Sequence, residues 1–282
     1  MSKRALPAAA IAARPGFRTV PAVSALDRYE PGVRAATGTD EPASISVFGV
    51  IGEDFWTGEG VTAKRISAAL RSVGAKTDVA VNVNSPGGDY FEGLAIYNLL
   101  REHQGKVTVN ILGMAASAAS VIAMAGDETR IARAGFLMIH NVWVVAAGDR
   151  HQLRDAADWL EPFDQVAREI YAARTGLSDK DLGAMLDRET WIGGAEAVAK
   201  GFADDLLASD QVTVDPEGDG VGQAKALHKL DAVLARAGMT RTERRKLFAD
   251  LKAGMPSAAQ DDTPSAGVRQ ELEALRTALA AI

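Results

Sequence analysis

Alternating and helical hydrophobic patterns follow one another along the middle of the chain. Val107–Ile111 alternates apolar and polar residues as a half-buried strand does, and the apolar run through Ile111–Ala125 predicts a buried helix. Earlier, Ile45–Ile51 and Val79–Val83 predict strands, and Thr62–Val73 has the i, i+3, i+4, i+7 stripe of an amphipathic helix. This strand–turn–helix order predicts an α/β fold with right-handed crossovers.

The pattern continues beyond the buried helix. Thr129–Ala132 and Phe136–His140 predict two more strands, and Val142–Val145 is compatible with a third. His151–Arg174 carries apolar residues at spacings of three and four and predicts a long helix. Pro162 lies inside it, so we expect either a kink or two separate helices, because an interior proline removes a backbone hydrogen bond.

Changes in pattern divide the chain into six predicted segments. The main one is flanked by stretches rich in Ala, Pro, Arg or Gly that lack a sustained period. The segments are a flexible arm at 1–43, the main domain at 44–208, a linker at 209–223, a small helical extension (a hairpin) at 224–253, a linker at 254–267 and a short helix at 268–282.

Composition narrows the class of protein. The 282 residues are 47% hydrophobic and 24% charged with a net charge of −6, which predicts a globular protein without general affinity for nucleic acid. The absence of cysteine excludes disulfides, thiolate zinc sites and a cysteine nucleophile. Arg14 and Pro15 interrupt the N-terminal apolar patch, and no apolar run approaches the length of a membrane span. We therefore expect a soluble cytoplasmic protein with no membrane partner, metal or cofactor.

Ser117 is the first candidate for chemistry. It lies between a predicted strand and a predicted helix, where backbone amides and the helix dipole favour negative charge. Its small neighbours leave clearance for a substrate carbonyl, which suits a serine nucleophile with a backbone oxyanion hole. The same small residues also suit a tightly packed helix–strand crossing, and both interpretations stay open on this stretch. Ser120, near the same helix face, is the fallback nucleophile.

Three further segments supply what a serine nucleophile needs. Of four histidines, His140 alone ends an apolar strand, as either a buried ring with a partner or a functional group. The glycines of Ser85–Gly88 allow positive φ and turn backbone amides toward a ligand, although a plain tight turn has the same sequence. Glu189 and Asp187, before Trp191, are each either an acid that orients the imidazole or a surface charge.

Together these motifs resemble the proteolytic subunit of the Clp protease over residues 45–207. The resemblance rests on Asn84–Gly88 followed by a helix, Gly113–Ser117, Met138–His140 and Trp191–Asp204.

The resemblance implies a ClpP/crotonase-like spiral of β-β-α units with a protruding handle helix, here 151–174. It also implies Ser117 as nucleophile, His140 as general base, and amides of Gly88 and Ala118 in the oxyanion hole. The family's acid is usually Asp, whereas the matching position here is Glu189, with Asp187 as the alternative. Rings of seven subunits, single or stacked, and a protein or peptide substrate are implied as well.

The ends of the chain, Asp54–Gly58 and Ala134–Trp143 resemble more closely the Clp-related head maturation (prohead) proteases of tailed phages. Such a serine endopeptidase would cleave scaffold or capsid protein in the procapsid, inside the bacterial host cytoplasm. The alternatives are a Clp-type subunit that works with an ATP-dependent unfoldase, a crotonase-like acyl-CoA enzyme, and a non-catalytic ring-forming assembly protein. We also expect the arm or the tail after about residue 208 to be removed by self-cleavage, given their linker-like composition.

Overall fold

The computed structural model describes residues 21–31, 33–35, 43–53, 60–208, 212–214 and 221–254. The strands are β1 Val33–Ala35, β2 Ala43–Phe48, β3 Val79–Ser85, β4 Val107–Ala116, β5 Glu128–Ile131, β6 Phe136–Ile139, β7 Thr190–Gly193, β8 Asp205–Leu206 and β9 Val212–Val214. The helices are α1 Val23–Arg28, α2 Ala63–Val73, α3 Tyr90–Glu102, α4 Ala118–Ala123, α5 Arg150–Thr175, α6 Asp179–Asp187, α7 Gly194–Ala199, α8 Val221–Arg236 and α9 Arg241–Gly254.

The main sheet is built around β4. Strands β2, β3, β4, β5 and β8 lie side by side in parallel. Within β4, Thr108–Ile111 pairs with β5, whereas Met114–Ala116 pairs in parallel with β6, and β7 is antiparallel to β6. The long β4 therefore changes partner along its length, and its last residues lie beside the end of β6.

Apolar side chains of the sheet and helices form one large core. All seven residues of β3 and all six of α4 are buried. Helix α3 contributes Leu94, Tyr97 and Leu100, each at most 1% exposed. A short helix such as α4 is stable here because its whole surface is packed in this core, since six residues are too few for an isolated helix.

Helix α5 is one continuous helix of 26 residues, about 39 Å long. Of the two alternatives at Pro162, two separate helices are excluded, because the proline lies inside the single helix. The side chain of Asp149 caps the first turn together with Gln152, and Gly176, with φ 72°, ends the helix.

The structure also differs from the sequence prediction in the two flanking segments and at Val142–Val145. Helix α1 and strand β1 lie in the segment predicted as an arm, and β1 pairs with β9, which lies in the predicted linker. Val142–Val145 forms no strand, because the Val142 amide donates to Asp164 Oδ1 at 2.6 Å instead. The predicted helix 268–282, most of the linker 254–267 and Asp54–Gly58 lie outside the described residues.

The chain divides into two compact units, Met1–Gly238 and Met239–Ile282. The described part of the second unit consists of α9 and its cap, in which Thr240 and Glu243 exchange hydrogen bonds of 2.7 and 3.2 Å. This is a capping box. Among the described helices of the chain, none has the length and apolarity needed to cross a membrane.

Candidate active site

Ser117 lies on a sharp turn between β4 and α4. Its φ of 55° and ψ of −123° place a non-glycine residue where L side chains are rarely found. The Ser117 amide donates to Met138 O at 2.8 Å, which joins the turn to the end of β6. Ala115, Ala116 and Ala118 beside it are fully or nearly buried. These small residues therefore allow close packing around the turn.

His140 follows β6 and reaches the serine. Its Nε2 lies 2.7 Å from Ser117 Oγ. Burial lowers the pKa of His140 below its ordinary value, the Glu189 carboxylate acts against this shift, and the charge of Arg236 adds to it. The lowered pKa favours the neutral ring, which can accept a proton from the serine hydroxyl.

The two candidate acids lie at the end of α6. Glu189 is half-buried with φ 51°, and its Oε1 accepts from Trp191 Nε1 at 3.2 Å. Asp187 is exposed, and its Oδ1 accepts from Asn141 Nδ2 at 2.8 Å. Within the described part of the chain, neither carboxylate is hydrogen-bonded to His140. Glu189 acts on the His140 ring through its charge, whereas Asp187 holds Asn141, the residue after His140.

The glycine loop and the start of α4 each place one backbone amide beside the serine. Gly87 and Gly88 have φ of 87° and 151°, and a Cβ on Gly88 would lie 2.1 Å from Ile51 O. Ile51 bonds to the amino acids on either side of Gly88, accepting from Asp89 N and donating to Gly87 O, both at 2.9 Å. The Gly88 amide donates to no described group, and neither does the Ala118 amide at the start of α4. Both N–H groups are available to a ligand.

A cavity lies directly over these groups. Ser117, His140 and Gly88 line one part of it. Asn141 also lines it, and the rest of its wall consists of aromatic and aliphatic side chains, namely Tyr90, Val121, Val142, Trp143, Ala167 and Tyr171. The arrangement provides a hydroxyl, a base, two free amides and an adjoining apolar surface, which together can support acyl transfer.

Sequence reasoning missed several residues around the site. Asp164 of α5 fixes the segment after His140 through Val142, and burial raises the pKa of its carboxyl. Tyr171, also on α5, contacts Ser120 rather than solvent. Ser120, the fallback nucleophile, is fully buried with its hydroxyl bonded to Ser117 O and Tyr171. The helical stripe predicted that α5 packs on the core, but no local pattern indicated which polar groups would face the site.

Comparison with known proteins decides the family. The family model of the Clp protease matches residues 60–210, more than half of the chain. The chain belongs to the Clp protease family. Membership confirms the predicted fold class and implies a serine peptidase.

Curated members of the Clp protease family match about half of the chain. The chain is 31% identical over 142 residues to the ATP-dependent Clp protease proteolytic subunit 3 of Rhodococcus jostii, covering 50% of this chain and 70% of that one. It is 31% identical over 140 residues to the ATP-dependent Clp protease proteolytic subunit of Bacteroides fragilis, covering 49% and 68%. Subunit 3 of Streptomyces coelicolor is 30% identical over 155 residues, covering 53% and 71%.

Proposed function

We propose that the chain is a serine endopeptidase with Ser117 as the nucleophile and His140 as the general base. The observation that carries this proposal is the 2.7 Å contact between His140 Nε2 and the Ser117 hydroxyl, on a turn where Ser117 has positive φ. Positive φ at a non-glycine residue persists only when the surroundings hold it, and such residues cluster at functional sites. A buried structural histidine would not require this backbone conformation of its partner.

The reaction follows from the positions of these groups. Ser117 Oγ bonds to the scissile carbonyl carbon as its proton passes to His140 Nε2. The amides of Gly88 and Ala118 donate to the oxyanion that develops. His140 then gives the proton to the leaving amine, and an acyl-enzyme ester remains. Water, deprotonated by His140, hydrolyses this ester and releases Ser117.

Glu189 is the acid that we assign to the third position. Two observations favour it over Asp187: its charge acts on the His140 ring, and it shares with Ser117 the positive φ found at no other described non-glycine residue. Its function is to stabilise the imidazolium that forms when Ser117 loses its proton. Asp187 is instead a support for Asn141.

Substitution of the nucleophile tests this proposal. Ser117→Ala should abolish labelling by a fluorophosphonate probe, whose phosphorus bonds to an activated serine oxygen with loss of fluoride. Ser72→Ala, which changes an exposed serine of α2, should label like the wild type. Intact-mass spectrometry of the labelled proteins measures both results. Undiminished labelling of Ser117→Ala would contradict the assignment, and an unreactive wild type would favour the crotonase-like or non-catalytic alternatives.

For the biological role, we propose cleavage of scaffold or capsid protein by rings of this chain during phage head maturation, without an unfoldase. The sequence resemblance of Ala134–Trp143 supports this role, and the exposed start of α5, with Leu153 47% exposed, supports self-association through that helix. Co-expression with a phage capsid protein and its scaffold protein should give cleaved products in the wild type and none with Ser117→Ala.

A second role is favoured by the names of the curated relatives, which are subunits of ATP-dependent proteases. In that role the chain would degrade unfolded protein only together with an ATP-dependent partner. Cleavage of the capsid or scaffold protein by the purified chain in the absence of ATP would exclude a requirement for such a partner.

A further inference from the structure

The carbonyl of Ser117 is held by the first turn of α4. The amides of Ser120 and Val121 donate to it at 2.9 and 3.4 Å, and Ser120 Oγ donates at 2.6 Å. The Ser117 N–H, on the other side of this residue, donates to Met138 O. Since φ at Ser117 is positive, the orientation of its hydroxyl depends on these contacts.

The hydrogen bonds around Ser120 have a fixed direction. A serine hydroxyl has one proton, and a carbonyl oxygen can only accept, so the proton of Ser120 points to Ser117 O. In the 2.8 Å contact between Ser120 Oγ and Tyr171 OH, the phenol must therefore donate. Burial raises the pKa of Tyr171, so the phenol keeps its proton across the working pH range. A chain of hydrogen bonds therefore runs from the Tyr171 phenol through the Ser120 hydroxyl to the Ser117 carbonyl.

This hydrogen-bond chain connects helix α5 with helix α4. Tyr171 is 2% exposed and belongs to α5, whereas Ser120 is fully buried in α4. Donation from Tyr171 polarises the Ser120 hydroxyl and strengthens its bond to Ser117 O, because hydrogen bonds in series are cooperative at low dielectric. The other donors to this carbonyl are backbone amides, so substitution can remove only the Tyr171–Ser120 branch.

We propose that Tyr171 and Ser120 are positioning residues that hold Ser117 in its reactive orientation and thereby couple α5 to the nucleophile. This inference rests on the proposed function of Ser117 and extends it to two hydroxyls that act through Ser117. Neither residue exchanges a proton with His140. The second hydroxyl of the ILGMAASAASVIAMA stretch thus has a function that the sequence pattern alone did not assign.

A double-mutant cycle tests the inference with a fluorophosphonate, measured as the limiting rate of inactivation and the probe concentration at half-maximal rate. Tyr171→Phe should lower the limiting rate about tenfold, as loss of one buried hydrogen bond predicts. Ser120→Ala should lower it at least as much, and half-saturation should be unchanged in both. The double variant should react like Ser120→Ala, because the phenol acts only through the Ser120 hydroxyl.

Tyr97→Phe is the matched control. Tyr97 is a fully buried tyrosine whose hydroxyl has no hydrogen-bond partner among the described residues, so this variant should react like the wild type. Unfolding midpoints of all variants separate a loss of rate from a loss of fold. A wild-type rate for Tyr171→Phe, or a double variant whose loss is the product of the two single losses, would overturn the inference. If Ser117→Ala also labels normally, the proposed function itself fails.

Discussion

At the scale of single residues, the protonation of His140 is set by burial and by two charged neighbours of opposite sign. Burial lowers its pKa most, the Glu189 carboxylate raises it, and the Arg236 guanidinium lowers it. A general base must be neutral at the working pH, and a lowered pKa meets this need. Glu189 and Arg236 therefore adjust the acidic limit of activity in opposite directions.

Glu189→Gln removes the negative charge that stabilises the imidazolium. The pKa of His140 should fall, so the acidic limb of the pH–rate profile should move to lower pH. The maximal rate should also fall, by up to about 10⁴-fold, the loss seen when the orienting acid of a serine-protease triad is neutralised. Rates of fluorophosphonate inactivation between pH 4 and 9 measure both changes.

Asp187→Asn is the matched control for this prediction. It neutralises a carboxylate two positions away that bonds to Asn141 and does not act on the His140 ring in the same way. Its profile should keep the acidic limb of the wild type. A larger rate loss in Asp187→Asn than in Glu189→Gln would transfer the acid assignment to Asp187.

At the scale of elements, the loop between β3 and α3 is fixed by close backbone approach. A Cβ on Gly88 would lie 2.1 Å from Ile51 O and 2.8 Å from Ile51 N, so Gly88→Ala must displace the loop. We expect the free energy of unfolding to fall by more than about 3 kcal/mol and the labelling of Ser117 to become slow. Thermal unfolding and inactivation rates measure the two effects.

Gly176→Ala is the control for backbone strain alone. Gly176 has φ 72°, and a Cβ there meets nothing within 4 Å. The free energy of unfolding of Gly176→Ala should fall by only about 1–2 kcal/mol, the penalty for an L residue in the left-handed conformation. The variant should be labelled at the wild-type rate. Equal stabilities for the two variants would show that contact with Ile51 does not constrain the loop.

Local pattern was a good guide to elements whose signals are local. Helix α2 spans Ala63–Val73, as the amphipathic stripe predicted, with Thr62 as its N-terminal cap and Gly74 as its C-terminal cap. Ser178 likewise caps α6. The pairing of β1 with β9 joins segments nearly 180 residues apart, and three-residue strands carry too little periodicity to be recognised.

In the candidate site, too, some residues could be predicted from local pattern and others could not. Ser117 and His140 stand out because each is a polar residue at the end of an apolar run. The side chain that Glu189 bonds, the support of Val142 by Asp164, and the direction of the Tyr171–Ser120 chain all depend on contacts between distant elements. No periodicity in the sequence encodes these orientations.

At the scale of the first compact unit, its first and last described helices, α1 and α8, lie close to the candidate site. Helix α1 packs with Met114, Ala116 and Met138 behind the Ser117 turn. The Arg28 guanidinium lies 4.1 Å over the Trp191 ring, whose Nε1 donates to Glu189. The extensions are thus continuous with the site, and their removal by self-cleavage would change its surroundings.

Helix α8 packs against α1. Its Ala232 and Ala235 are buried, and Lys229 forms an ion pair with Asp27 of α1. The Arg236 guanidinium at its end lies 4.5 Å over the ring of Trp143, which lines the cavity beside Ser117. A cation on α8 therefore lies at the cavity wall, within electrostatic reach of His140.

Arg236→Ala should raise the pKa of His140, because a nearby cation disfavours the imidazolium and its removal relieves this effect. The neutral base would then be lost at higher pH, and the acidic limb of the inactivation profile should move upward, opposite to the shift in Glu189→Gln. Because Arg236 is exposed, the shift should shrink as salt is raised. Lys229→Ala removes a charge from the same helix without this effect and should leave the limb in place. An Arg236→Ala profile that coincides with the wild type at low salt would show that α8 exerts no electrostatic control over the site.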